Sequence, residues 1–103
     1  MLDLIHTDVW GPSLVASIGG ARYYVTFIDD FSRKVWTFFL KHKSEVFQKF
    51  KEWKAMVENQ RGRKVKALRS DNGGEYTSME FKEYLARHGI KHQLSIPGLP
   101  EQN

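Results

Sequence analysis

The spacing of apolar positions changes along the chain and separates strands from helices. Residues 2–10, 22–30 and 34–40 are runs of aromatic, β-branched and other apolar residues, separated by segments that contain Gly, Pro, Ser and Asp. Such runs are typical of strands that are largely buried. Because the links between them are short, the three runs predict an antiparallel meander, with a hairpin turn at 30–33.

A helical period begins after the third run. Apolar side chains recur at three- and four-residue spacing between residues 46 and 57, with Lys and Glu between them, which predicts an amphipathic helix. Ser44 is its predicted N-cap and Gly62 its predicted C-terminal stop. Residues 65–70 then return to the composition of a strand, the fourth along the chain.

A second helix is predicted to start at the capping-box sequence Thr-Ser-Met-Glu, residues 77–80. Gly89–Ile90 is predicted to end it as a Schellman motif, in which the isoleucine packs on Leu85. A short fifth strand is predicted at 91–95. The prolines within 97–100 break regular structure after it.

The predicted order is three strands, a helix, a strand, a helix and a strand. A helix that links two strands normally makes them parallel, so strands four and five are expected to pair in parallel. The sequence therefore predicts one α/β domain over residues 1–103. Its mixed five-stranded sheet has three antiparallel strands, then two parallel ones, and helices pack on it.

The composition narrows the classes of function. A hydrophobic fraction of 41% over 103 residues is enough for one packed core. The absence of cysteine excludes disulfides, thiolate zinc sites and cysteine nucleophiles, and suits an intracellular protein. No apolar run reaches the length of a membrane span and no signal peptide is evident, so no membrane partner is expected. A net charge of +4 favours a polyanionic partner such as nucleic acid.

Two aspartates lie where predicted strands end. Asp8 comes shortly before Gly11–Pro12 at the end of the first strand, and Asp71 directly follows the fourth. Ligands of open α/β sheets bind at the carboxyl ends of strands, and carboxylate oxygens suit Mg²⁺ or Mn²⁺. Each acid taken alone is more simply a turn-former or a helix cap. The pair, on strands that should be neighbours, predicts a site for a divalent metal.

Several segments carry a resemblance to a known family. The segments His6–Pro12, Phe27–Arg33 and Arg69–Tyr76, with 36–41 and the tail at 92–98, resemble the integrase catalytic core of copia-type LTR retrotransposons. The resemblance covers essentially the whole chain in order, and it implies an RNase H-like fold. It also implies metal-dependent processing of element DNA ends and their transfer into target DNA. The family acts in the nucleus, and a homo-oligomer would be compatible with the resemblance.

By this resemblance, Asp8 and Asp71 are the first and second catalytic, metal-binding carboxylates. The third in this family is a Glu that would lie beyond Asn103, so we expect the third ligand to be absent by truncation. We expect the N-terminal zinc module of the family to be absent as well. Leu99 and Glu101 replace the Thr and Gln common in the family, and Glu101 lies too early, on a Pro-bounded loop, to substitute. We therefore expect weak or no Mg²⁺ or Mn²⁺ binding and little catalysis.

Other polar residues near the two aspartates are weaker candidates for the metal site. His6 shares a strand face with Asp8, and Asn72 directly follows Asp71, which makes both candidates to orient the carboxylates. A satisfied, half-buried histidine is an equally good interpretation of His6. Glu75 is interpreted mainly as part of a shaped loop at 73–76, with a direct ligand role as the alternative.

The densest basic stretch lies around the fourth strand. It is a candidate nucleic-acid-binding surface that contacts phosphates, and a solvated strand edge that resists aggregation is the alternative. Its members are Arg61, Arg63, Lys64, Lys66 and Arg69. Elsewhere, Asp29–Asp30 is interpreted as a turn. Trp36 and Trp53 are interpreted as core residues.

Three functions fit this sequence to different degrees. The first is an integrase-like polynucleotidyl transferase core, and the second is a non-enzymatic nucleic-acid-binding remnant of the same fold. The third is a nucleotide- or phosphate-binding α/β domain that uses Asp8. It is disfavoured because the chain has no G-x-x-x-x-G-K or G-x-G-x-x-G loop and opens with antiparallel strands.

Overall fold

Five strands form one mixed sheet. The structure is a computed structural model that describes residues 1–13 and 18–95, so the predicted break at 97–100 and the predictions for Leu99 and Glu101 lie outside them. The strands are β1 Ile5–Trp10, β2 Tyr23–Asp29, β3 Val35–Leu40, β4 Ala67–Ser70 and β5 Lys91–Leu94. Their order across the sheet is β3-β2-β1-β4-β5. The first three pair antiparallel, β4 is parallel to β1, and β5 is parallel to β4, which confirms the predicted mixed sheet.

β1 starts at Ile5, later than the apolar pattern indicates. The N–H of Leu2 donates to Oδ1 of Asp29 at 2.8 Å, and the carbonyl of Leu2 accepts the N–H of Lys66 at 3.0 Å. A carboxylate therefore takes the place of a ladder partner, and Leu2 lies beside the sheet without joining the strand. Leu2 is nonetheless fully buried, which explains its apolar character.

Three helices follow the meander. They are α1 Val46–Arg61, α2 Gly74–Thr77 and α3 Met79–Arg87. The prediction of Ser44 as the N-cap of α1 is wrong, because Ser44 lies inside a 3-10 turn at 43–45 and Glu45 is the N-cap. The Glu45 carboxylate accepts the backbone N–H groups of Lys41 and His42, which closes the turn between β3 and α1.

The other helix ends lie close to their predicted positions. Gly62 ends α1 as predicted, in the left-handed conformation that glycine tolerates. The predicted start of α3 is one residue early: Thr77 ends α2, and the Ser78 hydroxyl caps α3 by accepting the N–H three residues on. The Schellman motif is confirmed by the N–H of Ile90, which donates to the carbonyl of Leu85 at 2.8 Å. Within residues 1–13 and 18–95, no helix is long and apolar enough to cross a membrane.

Helices and sheet share an apolar core on one face of the sheet. Phe27 of β2 stacks on Trp53 of α1 with ring centroids 4.6 Å apart, and Phe50 of α1 stacks on Phe81 of α3 at 5.3 Å. These four side chains are fully buried. Trp36 packs edge-on against Trp53, so both tryptophans contribute to the core as predicted. The core therefore holds α1 and α3 against the same face of the sheet.

The opposite face, here called the open face, carries exposed aromatic residues. Trp10, Tyr24 and Phe39 are cross-strand neighbours on β1, β2 and β3, with successive ring centroids 6.1 and 6.3 Å apart. We call these three residues the aromatic row. Their side chains are 50%, 37% and 65% exposed. A solvated sheet face is normally polar, so the row is an apolar patch in contact with water.

A buried ion pair joins the end of α1 to the chain that enters β4. Nζ of Lys54 lies 3.0 Å from Oε1 of Glu58, and both side chains have little access to water. Oε2 of Glu58 accepts the N–H of Val65 at 2.7 Å. One carboxylate thus neutralises a buried lysine and fixes the approach to β4.

Replacing Glu58 tests this junction. Glu58→Ala is expected to lower the free energy of unfolding by about 3–5 kcal/mol, because Lys54 keeps a buried charge without its partner. Denaturant unfolding followed by circular dichroism measures the change. The control is Glu52→Ala, because Glu52 pairs with Lys49 at 3.4 Å on the exposed side of the same helix, where little effect is expected. Equal destabilisation by the two variants would contradict the role of burial.

The aromatic row is expected to drive self-association of the chain, because association removes its apolar surface from water. Phe39→Ser should shift sedimentation-velocity profiles toward monomer at high protein concentration. Phe31→Ser is the matched control: Phe31 is 84% exposed but lies in the β2–β3 turn, outside the row. A parent chain that stays monomeric at every concentration would refute this expectation.

Candidate metal centre

The two aspartates singled out in the sequence meet at one edge of the sheet. Asp8 lies on β1, and Asp71 directly follows β4. The parallel register pairs His6 with Arg69, and Asp8 and Asp71 each lie two residues further along the chain, at the same end of the sheet. Neighbouring strands are about 4.8 Å apart, so the two carboxylates come within reach of one cation. Both line a cleft of about 280 Å³ that opens on the open face.

The charge environment of Asp8 favours a cation. Burial raises the pKa of the Asp8 carboxyl above its usual value, and the carboxylates of Asp71 and Glu75 raise it further. The N–H of Val9, which donates to Oδ1 of Asp8 at 2.9 Å, and the ammonium of Lys43 oppose this rise. The cleft therefore concentrates negative charge that water screens incompletely, and a divalent cation would neutralise it.

Asp71 is held by the turn that follows β4. Its Oδ1 accepts the N–H of Gly73 at 2.9 Å, an Asx-type turn that fixes the orientation of the carboxylate. A Cβ on Gly73 would lie 2.8 Å from Oε1 of Glu75 and 3.0 Å from Oδ1 of Asp71. Gly73 has an ordinary φ of −65°. A Cβ at this position would therefore force the two carboxylates to shift, and the restriction comes from space and not from backbone conformation.

Glu75 brings a third carboxylate close to the pair. The predicted loop at 73–76 is wrong, because Gly74–Thr77 forms the short helix α2. The Glu75 side chain folds back over Gly73, is only 11% exposed, and has its Oε2 3.8 Å from Nζ of Lys43. In the part of the chain that the structure describes, no three His, Cys, Asp or Glu side chains are grouped closely enough to hold a metal ion. Glu75 therefore adds charge to the cleft without completing a ligand set.

The two predicted supporting residues lie in different surroundings. The His6 ring lines the cleft, but its Nε2 lies 2.7 Å from Oδ1 of Asp30, so its hydrogen-bond partner is in the β2–β3 turn. The Asn72 side chain is exposed. Orientation of the aspartates by either residue stays a prediction. The turn interpretation is confirmed for Asp30, whereas Asp29 is the last residue of β2, and its carboxylate accepts the N–H of Ser32 in the turn at 2.8 Å.

The predicted basic stretch is divided between two edges of the sheet. Arg69 lines the cleft, where its guanidinium donates two hydrogen bonds to Oε1 of Gln93, at 2.7 and 3.1 Å. The other four residues are exposed and precede β4, toward the edge opposite to Asp71: Arg61, Arg63, Lys64 and Lys66. Nζ of Lys66 lies 3.4 Å from the Asp3 carboxylate. A nucleic-acid contact by this stretch stays a prediction.

Sequence reasoning missed a buried contact behind the cleft. The hydroxyls of Thr7 and Tyr76 lie 2.9 Å apart and link β1 to α2. Burial raises the pKa of the Tyr76 hydroxyl, so it remains protonated. The two residues are 69 positions apart, and only the folded topology brings them together. The one local signal is strand alternation, which places the polar Thr7 on the helix-covered side of β1.

The donor set fits one hard divalent cation. Mg²⁺ and Mn²⁺ prefer oxygen ligands, and Mg²⁺ is commonly held by one or two protein carboxylates with waters and substrate phosphates. Asp8 and Asp71 would supply these carboxylates, and the open cleft leaves the remaining positions accessible. Over residues 1–13 and 18–95 no third side chain joins them, so the described residues do not themselves form a two-ion site.

Comparison with known proteins gives the chain clear relatives. The family model described as "Integrase core domain" matches residues 1–100. The chain is 56% identical over 103 residues to the retrovirus-related Pol polyprotein from transposon TNT 1-94 of Nicotiana tabacum. It is 44% identical over 102 residues to the corresponding polyprotein from transposon RE2 of Arabidopsis thaliana. The two matches include 100% and 99% of this chain. The chain spans only 8% and 7% of the length of the two relatives.

A solved structure shares the fold. It is the cryo-electron microscopy structure of the simian T-cell lymphotropic virus intasome in complex with PP2A regulatory subunit B56 gamma. The TM-score is 0.71 at 21% identity, over 97% of this chain and 34% of that one. At this identity the similarity shows the fold alone, and it confirms the RNase H-like architecture.

A substitution at Gly73 tests the geometry of the Asp71 turn. Gly73→Ala is expected to weaken Mn²⁺ binding, measured by isothermal titration calorimetry, because the new Cβ collides with the carboxylates of Asp71 and Glu75. Gly74→Ala is the matched control, since nothing lies within 4 Å of a Cβ at Gly74, and its affinity should be unchanged. Equal effects of the two variants would contradict the steric argument.

Proposed function

Because the chain belongs to the integrase core family of copia-type retrotransposon Pol polyproteins, we propose that it is the metal-binding part of a polynucleotidyl transferase acting on DNA. In this proposal Asp8 and Asp71 together hold one Mg²⁺ or Mn²⁺ ion. The observation that carries it is the parallel register of β1 and β4, which leads both carboxylates into one cleft. The raised pKa of Asp8 supports it, because burial and, to a lesser degree, the carboxylates of Asp71 and Glu75 disfavour the charged form, which a cation would stabilise.

The residues of the chain have distinct tasks in this proposal. A divalent cation supplies Lewis-acid polarisation of a phosphodiester and activation of the attacking hydroxyl or water. Asp8 is presented by a strand and Asp71 by the turn closed at Gly73, so both carboxylates are fixed before substrate arrives. Arg69 offers its guanidinium to a DNA phosphate in the same cleft, and the hydrogen bonds to Gln93 keep that group oriented.

DNA is the proposed partner. The net charge of +4 favours a polyanion, and the exposed residues Arg61, Arg63 and Lys64 add phosphate contacts without sequence specificity. Assembly of several copies on DNA and action in the nucleus are further parts of the proposal. Family membership supports both, and the exposed aromatic row adds a surface for assembly.

The 103-residue polypeptide is proposed to bind DNA and one cation but to transfer DNA strands poorly by itself. Two ions in reactive geometry need more ligands than the two aspartates, and the described ranges contain no group of three suitable side chains. The same observation favours a second candidate function, a DNA-binding domain of this fold without catalysis.

A graft tests the proposal. The segment that follows the matched region in the tobacco Pol polyprotein is fused after Asn103 of this chain. The fusion is expected to cleave and join a labelled duplex that carries the ends of the tobacco element, in a Mn²⁺-dependent reaction, whereas the ungrafted chain shows little or no product. Asp71→Asn in the fusion should abolish product, because the variant loses a charged metal ligand. Fluorescence anisotropy should show that DNA binding persists.

Asp3→Asn is the matched control for the fusion, because it makes the same chemical change at an exposed carboxylate on the opposite edge of the sheet. It should leave product formation unchanged. Mn²⁺-dependent nicking by the ungrafted chain that Asp71→Asn removes would contradict the need for further ligands. A fusion that binds DNA but forms no product would contradict the proposal and favour the DNA-binding domain without catalysis.

A further inference from the structure

A buried hydrogen bond connects the two elements that carry the candidate metal ligands. The hydroxyls of Thr7 and Tyr76 lie 2.9 Å apart. The two residues are 6% and 0% exposed, respectively. Thr7 directly precedes Asp8 on β1. Tyr76 lies in α2, the helix that begins where the Asp71 turn ends. The bond therefore spans the gap between the two carboxylates on the side away from solvent.

Strand pairing alone does not fix this gap. The last paired residues between β1 and β4 are His6 and Arg69, and β4 itself ends at Ser70. Asp71 thus lies past the ladder, where its position depends on what anchors the chain that follows. That chain is a helix of four residues, which is too short to be stable without tertiary contacts.

The contacts of the Glu75 and Tyr76 side chains anchor α2, and they differ in strength. The contact between Lys43 and Glu75 spans 3.8 Å, and Lys43 is half-exposed, so water and salt weaken it. The Tyr76 ring packs against Phe81 at 5.8 Å, and the Tyr76 hydroxyl meets Thr7 in the dry interior. A hydrogen bond in such surroundings is strong, and it is directional in a way that ring packing is not. Of the two side chains, Tyr76 is therefore the one that can fix the distance between α2 and β1.

We propose that Tyr76 is a positioning residue: through its hydrogen bond to Thr7 it fixes α2 against β1 and so sets the spacing of Asp8 and Asp71 for one divalent cation. This inference rests on the proposed function of the cleft. It assigns a role to a tyrosine that does not itself reach the cation, since its hydroxyl is buried on the helix-covered side of β1.

Three variants separate positioning from folding. Tyr76→Phe and Thr7→Val each remove one hydroxyl and leave the other buried without its partner, so both should lower the melting temperature. The double variant removes both hydroxyls and should regain most of the melting temperature. Affinity for Mn²⁺, measured on the 103-residue chain from the free-ion signal in electron paramagnetic resonance, should fall by about tenfold in all three, because none can form the bond.

The double variant decides the outcome. Stability regained with Mn²⁺ affinity still low supports positioning, since a merely structural role predicts that both recover together. Tyr84→Phe is the control, because Tyr84 lies on α3 and packs on Phe47 of α1, and it should leave Mn²⁺ affinity unchanged. Unaltered affinity in Tyr76→Phe, or affinity that follows melting temperature, would overturn the inference alone. A parent chain that binds no Mn²⁺, or binds it equally after Asp71→Asn, would overturn the proposed metal site as well.

Discussion

The parallel pairing of β1 with β4 is the constraint on which the site depends. It sets Ile5 beside Leu68 in the core and His6 beside Arg69 on the open face. Since side chains alternate along a strand, a slip of one residue would turn Asp8 toward the helices. Burial of Ile5 and Leu68 therefore decides where a carboxylate several residues away emerges. The crossover helix α1 makes the pairing parallel, and its aromatic contacts with β2 and α3 hold it there.

Bringing acids together in a half-buried cleft is unfavourable, and contacts elsewhere in the fold hold the two carboxylates in place. Asp8 responds with a raised pKa, and Lys43 offsets part of the negative charge from the turn before α1. Asp71 has no strand partner of its own, so the turn at Gly73 and the buried contact between Thr7 and Tyr76 hold it. A site with only two carboxylate ligands needs such rigid support, because freedom of either carboxylate to move lowers the affinity for the cation.

Much of this arrangement was predictable because periodicity reports which side of an element is buried. The antiparallel pairing of the first three strands, the end of α1 at Gly62 and the Schellman motif at Gly89–Ile90 follow from local sequence. Predictions from local sequence were wrong where a residue outside the predicted motif determines the conformation. Ser44 resembled a cap, but the Glu45 carboxylate closes the turn. The 73–76 segment resembled a loop, yet burial of Tyr76 draws it into a helix. Asp8 and Asp71 could be selected by position, but their supports could be recognised only in the folded chain.

The proposed site depends on the binding of a single divalent cation by Asp8 and Asp71 together. Paramagnetic line broadening by Mn²⁺ in amide NMR spectra of the 103-residue chain tests it most directly. We expect saturable broadening centred on residues 7–9 and 70–73 that is absent after either Asp8→Asn or Asp71→Asn. Broadening that survives both substitutions, or that is centred elsewhere on the chain, would contradict it.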